Sequence, residues 1–288
     1  MIEGEIPLSD REFARVKARV YAEAGIALSD AKRTLVVSRL SKILRGLRIG
    51  SFDEYVDYLE TSATEKDAQD FINALTTNLT RFFREDHHFA HLSSYVGELM
   101  QQRPRVGPDG KPRLRIWSAG CSTGQEPYTI ALSLLAAHQD LKRWDFRILA
   151  TDIDTSVIAK AALGTYPESE LSDLSPERAR LFERAGNGTI RIPAAARNLV
   201  AFKPLNLMLP DWPMKGPFDA IFCRNVAIYF DKKTQGAVFS RLGRLLAPAG
   251  YLYIGHSENL GAGGENFRLV GKTIYQSRAS AQKARDAA

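Results

Sequence analysis

The run from Leu114 to Ala137 constrains the fold of this chain more than any other. A short apolar strand, Leu114–Ala119 (LRIWSA), passes through a glycine-containing turn into a helical pattern near Pro127–Ala137. The unit then recurs. Phe146–Thr151 (FRILAT) precedes a helix over Thr155–Leu163, and Phe218–Cys223 (FDAIFC) precedes one over Lys232–Leu246. Tyr251–Gly255 adds a strand, and Phe267–Val270 with Thr273–Gln276 forms a hairpin around Gly271-Lys272. Strands alternating with helices build a mostly parallel sheet covered on both faces. An α/β fold over residues 114–280 is expected, with a closing antiparallel hairpin. One stretch breaks the alternation: Asn187–Ile192 and Leu199–Phe202 read as a small inserted β-hairpin, about 187–203.

The first hundred residues have a different texture. Leu8-Ser9-Asp10 opens a helix that ends at Gly25, and Ser29-Asp30 opens a second. In the second, Val36, Leu40, Ile43, Leu44 and Leu47 recur at helical spacing and share one face. Arg39, Lys42 and Arg45 share another, flanked by Lys32 and Arg48, and no acid occurs between Ala31 and Ser51. Ser51-Phe52-Asp53-Glu54 opens a third helix to about Leu59, and a fourth covers roughly Glu65–Leu75. This reads as a helical domain over 1–100. Residues 101–113, rich in Pro, Gly and basic side chains, read as a linker. The polar end over 281–288 reads as frayed.

Composition excludes several classes. With 44% hydrophobic residues among 288, the chain is too apolar to be largely disordered. No run reaches the roughly 18 apolar residues of a membrane span. MIEGEIPLSD is acidic and lacks the apolar segment of a secretory signal. Two cysteines cannot make a disulfide framework, so a reduced, cytoplasmic setting is expected. A net charge of +6 favours anionic partners without choosing among them. Nothing demands more than a monomer.

Two turns carry chemistry. In Ser118–Gly124 (SAGCSTG), Gly120 and Gly124 let the backbone approach a ligand, and the following helix N-terminus favours anionic groups. A plain tight turn would need no more. The pattern is neither G-x-G-x-x-G nor a P-loop, whose lysine is missing. The next strand ends in ATDID. Asp152, 28 residues after Gly124, stands where doubly wound folds place a ribose-binding acid. Asp154 or Thr155 suits a helix cap. Together they suggest a nucleoside-containing cofactor, S-adenosylmethionine rather than NAD.

These segments, with others, resemble the chemotaxis receptor methyltransferase family, the CheR-type protein-glutamate O-methyltransferases. The residues carrying the resemblance are TNLTRFFRE (77–85), SAGCSTGQEPYTIA (118–131), ATDID (150–154) and FDAIFCRNVAIYFD (218–231), supported by GHSEN (255–259). It spans roughly residues 8–277. It implies a helical N-terminal domain before a Rossmann-like, S-adenosylmethionine-dependent methyltransferase domain. It implies methyl transfer to glutamates on chemoreceptor cytoplasmic helices, leaving S-adenosylhomocysteine. By the same resemblance, Asn78, Thr80 and Arg84 contact the cofactor, Arg84 at its carboxylate or at the active-site rim. Gly120 belongs to the cofactor-binding turn, Glu126 faces the ammonium, Asp152 holds the ribose, and Asn206 and Leu207 border the adenine. Arg224, Asn225 and Tyr229 line the transfer site. Arg84 and Tyr229 are the expected positioning residues. Arg39, Lys42 and Arg45 become a docking stripe for glutamate-rich receptor helices. Some relatives bind a receptor tail peptide through the inserted hairpin. Here the connection is shorter, which points to a tether-independent enzyme.

Other features carry less. His87 and His91 stand at i, i+4, but no HEXXH-type pattern surrounds them and no metal is expected. His256 suits a structural hydrogen bond. Cys121 and Cys223 fall at strand ends that the fold could bring together, leaving a redox role open. Trp117, Trp144 and Trp212 read as core or rim. A nucleic-acid methyltransferase is the alternative enzyme, but CRNVAIYF lacks an Asn/Asp-Pro-Pro-Tyr-like motif. A non-catalytic cofactor-sensing module would be expected to have lost a site element, and Arg84, Arg224, Asn225 and Tyr229 are all present.

Overall fold

A computed structural model describes residues 6–102 and 105–278. The expected tail over 281–288 and two positions of the expected linker lie outside the described residues. Four helices form a first body: α1 (Asp10–Ala24), α2 (Arg33–Leu47), α3 (Phe52–Thr61) and α4 (Glu65–Leu75). Local chemistry sets their starts. Ser9 with Glu12, and Thr64 with Asp67, close reciprocal capping boxes, while Ser51 accepts the Glu54 N–H. Each such cap is worth about 1 kcal/mol. The apolar face of α2 buries Val36, Leu40 and Leu44 against Phe13, Val16 and Phe71. A fully buried side chain of this kind contributes roughly 1.5–3 kcal/mol.

Helix α5 (His87–Gln101) does not join these four. Its Phe89, Leu92 and Val96 lie in the core beneath the sheet, with Ile116 and Ile148. The helical domain expected over 1–100 therefore stops at Leu75, and Thr76–Asp86 joins the two bodies. The stretch expected as a linker is also tied down. Val106 and Pro112 form an isolated bridge, and Arg105 donates to Asp219 at 2.7 Å.

The second body alternates strand and helix. In order it runs β1 (Arg113–Ala119), α6 (Gln125–Ala137), β2 (Asp145–Asp152), α7 (Thr155–Leu163) and β3 (Thr165–Pro167). Then come α8 (Pro176–Ala179), β4 (Glu183–Gly186), β5 (Thr189–Arg191), α9 (Ala194–Arg197) and β6 (Val200–Pro204). It closes with β7 (Phe218–Cys223), α10 (Lys232–Leu245), β8 (Leu246–Ile254), β9 (Phe267–Gly271) and β10 (Ile274–Ser277). The main sheet has seven strands in the order β6-β2-β1-β7-β8-β10-β9. The first five pair in parallel and the last two are antiparallel. Successive side chains point to opposite faces. Ile116, Ile148 and Phe222 thus face α5 and α6, while Trp117, Ile221 and Cys223 face Val238 and Phe239 of α10.

A small antiparallel sheet is inserted, but not with the expected pairing. Its order is β3-β5-β4, and Asn187-Gly188 turns Glu183–Gly186 onto Thr189–Arg191. Val200–Pro204 pairs instead with Ile148–Asp152 as the edge of the main sheet. That pairing is parallel and non-local, so no turn signal announces it.

Chain order reverses about β1: β2 follows on one side and β7 on the other. In open α/β sheets the crevice at such a reversal, beyond the strands' carboxyl ends, is where ligands bind.

Candidate functional site

A cleft opens at that crevice, the place where small-molecule sites commonly lie in such folds. Its floor is the ends of β1, β2 and β7, with Gly120, Asp152 and Arg224. Its other walls come from the helical body and the joining segment: Ala24, Ile26, Leu75 and the run from Thr76 to Arg81.

The backbone at the site is unusual. Ser122 (φ +47) and Asn225 (φ +59) line or border the cleft in the left-handed region, and Phe83 (φ +55) and Glu85 (φ +56) flank Arg84. Such conformations cost of order 1–3 kcal/mol each and persist only where the surroundings fix them. Gly120 has φ +92, and a Cβ there would meet Val226 Cγ2 at 2.1 Å. Only glycine lets the turn after β1 close on the loop after β7.

Every residue expected at the cofactor or the transfer site lines this cleft, from Asn78, Thr80 and Arg84 through Glu126 and Leu207 to Tyr229. Several of their side chains are already committed. Asp152 Oδ2 accepts the Ser122 N–H at 2.8 Å, and Oδ1 accepts that of Asp154 at 3.0 Å. The Asn78 amide donates to Asp154 Oδ2 at 2.7 Å. Asn206 donates to the Glu23 carbonyl at 2.6 Å and accepts the Met208 N–H at 2.8 Å. These three therefore shape the cleft through the backbone they fix as well as through their own atoms.

Charge is concentrated around Arg224. Its buried guanidinium lies 3.4 Å from Glu126 Oε2 and 3.7 Å from Glu85 Oε2, and it donates to the Arg84 carbonyl. It also stacks over Phe89, 5.4 Å from the ring centre. Arg224 Nε and Nη1 and Glu85 Oε2 still lack hydrogen bonds among the described residues. Glu126 accepts the Ser118 hydroxyl at 2.7 Å. Burial pushes the carboxyl groups of Glu126 and Asp152 above their ordinary range, against those contacts. Arg84 donates to the Leu79 carbonyl at 3.0 Å, and Tyr229 OH to that of Thr77 at 3.4 Å. Burial raises the Tyr229 phenol, so it stays protonated at neutral pH.

The basic stripe expected to dock the receptor divides. Lys42 and Arg45 are exposed on α2, whereas Arg39 turns inward and donates to the carbonyls of Ala74 and Thr76 at the end of α4. Arg39 thus supports the cleft wall rather than presenting itself with the other two.

Some residues here gave no sequence signal for a role in the site. Asp154 caps α7, as expected, but also accepts Thr76 and Asn78 side chains from the joining segment. Glu85 meets Arg224, and Glu258 accepts backbone N–H groups of the loop after β7. The remaining temptations resolve structurally. His88 is buried against Thr273 and Tyr253, and burial depresses it to about 3. His91 Nδ1 meets Tyr253 OH at 3.0 Å, and at His256 it is the backbone N–H, not the ring, that donates to Glu85. No group of three or more His, Cys, Asp or Glu among the described residues could hold a metal. Cys121 and Cys223 are free and buried, and burial holds both thiols protonated. Trp117 donates to Thr151 Oγ1 and packs edge-on against Trp212, while Trp144 packs against the core. Among the described residues no helix is long and apolar enough to cross a membrane.

Known proteins bear directly on this site. Residues 78–276 match the family model described as CheR methyltransferase, SAM binding domain, and residues 11–76 match the CheR methyltransferase, all-alpha domain. A chemotaxis protein methyltransferase of Escherichia coli is 42% identical over 275 residues, covering 94% of this chain and 92% of its own. Chemotaxis protein methyltransferase 2 of Pseudomonas aeruginosa is 44% identical over 278 residues, covering 94% of each chain. A probable chemotaxis protein methyltransferase of Rhizobium etli is 43% identical over 262 residues, covering 89% of this chain and 96% of its own.

Proposed function

This chain belongs to the CheR methyltransferase family, and from that premise we propose that it methylates glutamate side chains on chemoreceptor cytoplasmic helices. The observation that carries this reading is the set of groups in the cleft. Three arginines line it, Arg81, Arg84 and Arg224, and neither histidine nor lysine does. No histidine or lysine is therefore at hand as a general base, and the two acids of the cleft are already engaged, Glu126 by Ser118 and Arg224 and Asp152 by backbone N–H groups. A carboxylate needs none, since glutamate, with a pKa of about 4.3, arrives ionised. Arginines suit the binding and orientation of carboxylates.

The residues fit S-adenosylmethionine. Buried N–H groups without partners are rare, and those of Arg224 stand beside the Glu126 carboxylate. In this reading Glu126 receives the cofactor's ammonium and Arg84 its carboxylate, Asp152 holds the ribose, and Asn206 and Leu207 border the adenine. Bound, the cofactor supplies an electrophilic methyl on a positively charged sulfur. Tyr229 orients the acceptor oxygen while Arg84 holds the cofactor in line with it, and alignment of this kind supplies much of the acceleration. The walls of Leu75, Ile26 and Phe89 exclude water while opposite charges meet and cancel. Lys42 and Arg45 draw the glutamate-rich helix to α2. The reading needs no receptor tail peptide and sets the reaction in the cytoplasm.

The test mixes the protein with methyl-labelled S-adenosylmethionine and a chemoreceptor cytoplasmic fragment. Base treatment should then release labelled methanol, the mark of a carboxyl methyl ester. Label that resists base refutes carboxylate as the acceptor. The absence of label while the cofactor still binds refutes this receptor as the substrate.

A further inference from the structure

Glu258 lies in the GHSEN turn after β8 and is only 9% exposed. Among the described residues it makes no ion pair. Its partners are backbone donors: Oε2 accepts the N–H of Asn225 at 2.9 Å and of Gly255 at 2.5 Å, and Oε1 that of Ile228 at 3.2 Å. Asn225 and Ile228 belong to the loop after β7, which carries Asn225 and Tyr229 into the cleft. The loop's acceptors are held from the other side, where Gln235 Nε2 donates to the carbonyls of Ala227 at 2.8 Å and Phe230 at 3.0 Å. The two turns are in close contact. A Cβ on Gly255 would meet Asn225 Nδ2 at 2.4 Å and Asn225 N at 2.8 Å.

We infer that Glu258 is a positioning residue for methyl transfer: its buried carboxylate gathers the loop's N–H groups and thereby fixes Asn225 and Tyr229. Three features require such an anchor. Asn225 is held at φ +59, a conformation that an unanchored loop would leave. Three backbone donors at a buried turn must be satisfied, and a carboxylate satisfies them more strongly than a neutral acceptor. Tyr229, at the far end of the loop, also accepts the Ala27 N–H at 2.8 Å through its carbonyl, so a shift of the loop displaces it from both Thr77 and Ala27. Burial raises the Glu258 carboxyl while these N–H groups oppose the rise.

The inference rests on the proposed transfer reaction for its kinetic arm only. In E258Q, one acceptor oxygen becomes an NH2 that faces N–H donors. Amide exchange at Asn225 and Ile228, measured without substrate, should speed up about tenfold or more, the loss of a charge-assisted hydrogen bond. With wild-type enzyme active on the receptor fragment, kcat of E258Q should fall about tenfold to a hundredfold. The double variant E258Q/Y229F should be slowed by clearly less than the product of the two single losses, because part of the E258Q loss acts through Tyr229. If E258Q does not fold, E258D, one methylene short, carries the same measurements with smaller losses. Unchanged amide exchange, or rate losses that multiply with Y229F, would overturn the inference. An inactive wild type would instead count against the transfer reaction, while amide exchange still decides the role of Glu258.

Discussion

Asp154 offers the sharpest test of how the two bodies are joined. Its carboxylate is 1% exposed and accepts five hydrogen bonds. Oδ1 takes the N–H groups of Ser156 and Val157 and the Ser156 hydroxyl, at the start of α7. Oδ2 takes Thr76 Oγ1 and Asn78 Nδ2, both at 2.7 Å, from the joining segment. D154A removes both sets. The cap is worth about 1 kcal/mol. Thr76 can fall back on the Asn73 carbonyl, which it already meets at 2.9 Å, so its hydroxyl costs little. The Asn78 amide keeps only a 3.2 Å contact to Thr76, and stranding it costs about 1–3 kcal/mol. D154A should therefore lose roughly 2–4 kcal/mol, moving the urea midpoint by about 1 M or more. D154N keeps the cap oxygen but turns an NH2 toward the Asn78 NH2, so it should lose only the Asn78 share. The gap between the two variants then measures the cap. Urea unfolding followed by circular dichroism reads both values. A D154N midpoint indistinguishable from wild type would refute the claim that this carboxylate holds the segment.

Other outcomes follow from the same geometry. D152A should weaken S-adenosylmethionine binding about tenfold or more by calorimetry, since it removes a pocket acid and frees the Ser122 and Asp154 N–H groups; unchanged affinity would dismiss the ribose role. Glu126 is raised by burial, so the folded state binds its proton more tightly and ionising it opposes folding as pH climbs above the ordinary carboxyl value. The stability of E126Q relative to wild type should accordingly improve from about pH 4 to about pH 7, and a trend in the other direction would show that Arg224 outweighs burial. K42A/R45A should raise the receptor KM severalfold, with a reduced salt dependence, and spare cofactor affinity. R39A should instead destabilise the fold by roughly 1–2 kcal/mol, because it frees the carbonyls at the end of α4.

The sequence announces local features and is silent on distant ones. Caps such as Ser9 with Glu12, and apolar periods such as Val36, Leu40 and Leu44, lie within one helix and could be read directly. The strands ending at Ala119, Asp152 and Cys223 stood out because parallel, doubly covered strands are continuously apolar. The helical texture of residues 1–100 carries no sign of the surface that Phe89 and Val96 of α5 meet, so the expected helical domain runs one helix too far. The pairing of Val200–Pro204 is hidden for a similar reason, since its partner lies some fifty residues earlier. Its place in the small sheet is taken by Glu183–Gly186, four exposed residues with no strand pattern. The cleft residues were legible through resemblance, not through spacing. Glu85 and Glu258 went unassigned, and so did the joining role of Asp154, because the groups they meet come from segments far away in sequence.

The cleft draws its walls from two separately cored bodies, so neither body alone contains it. A ligand that needs both sets of walls would favour the docked arrangement over any parted one by up to RT ln(1 + [L]/Kd). At about a hundred times Kd this amounts to about 2.7 kcal/mol, acting on the seam and not on either core. Protease resistance of the joining segment Thr76–Asp86 thereby becomes a gauge of ligand concentration, readable in a protein that is not turning over at all.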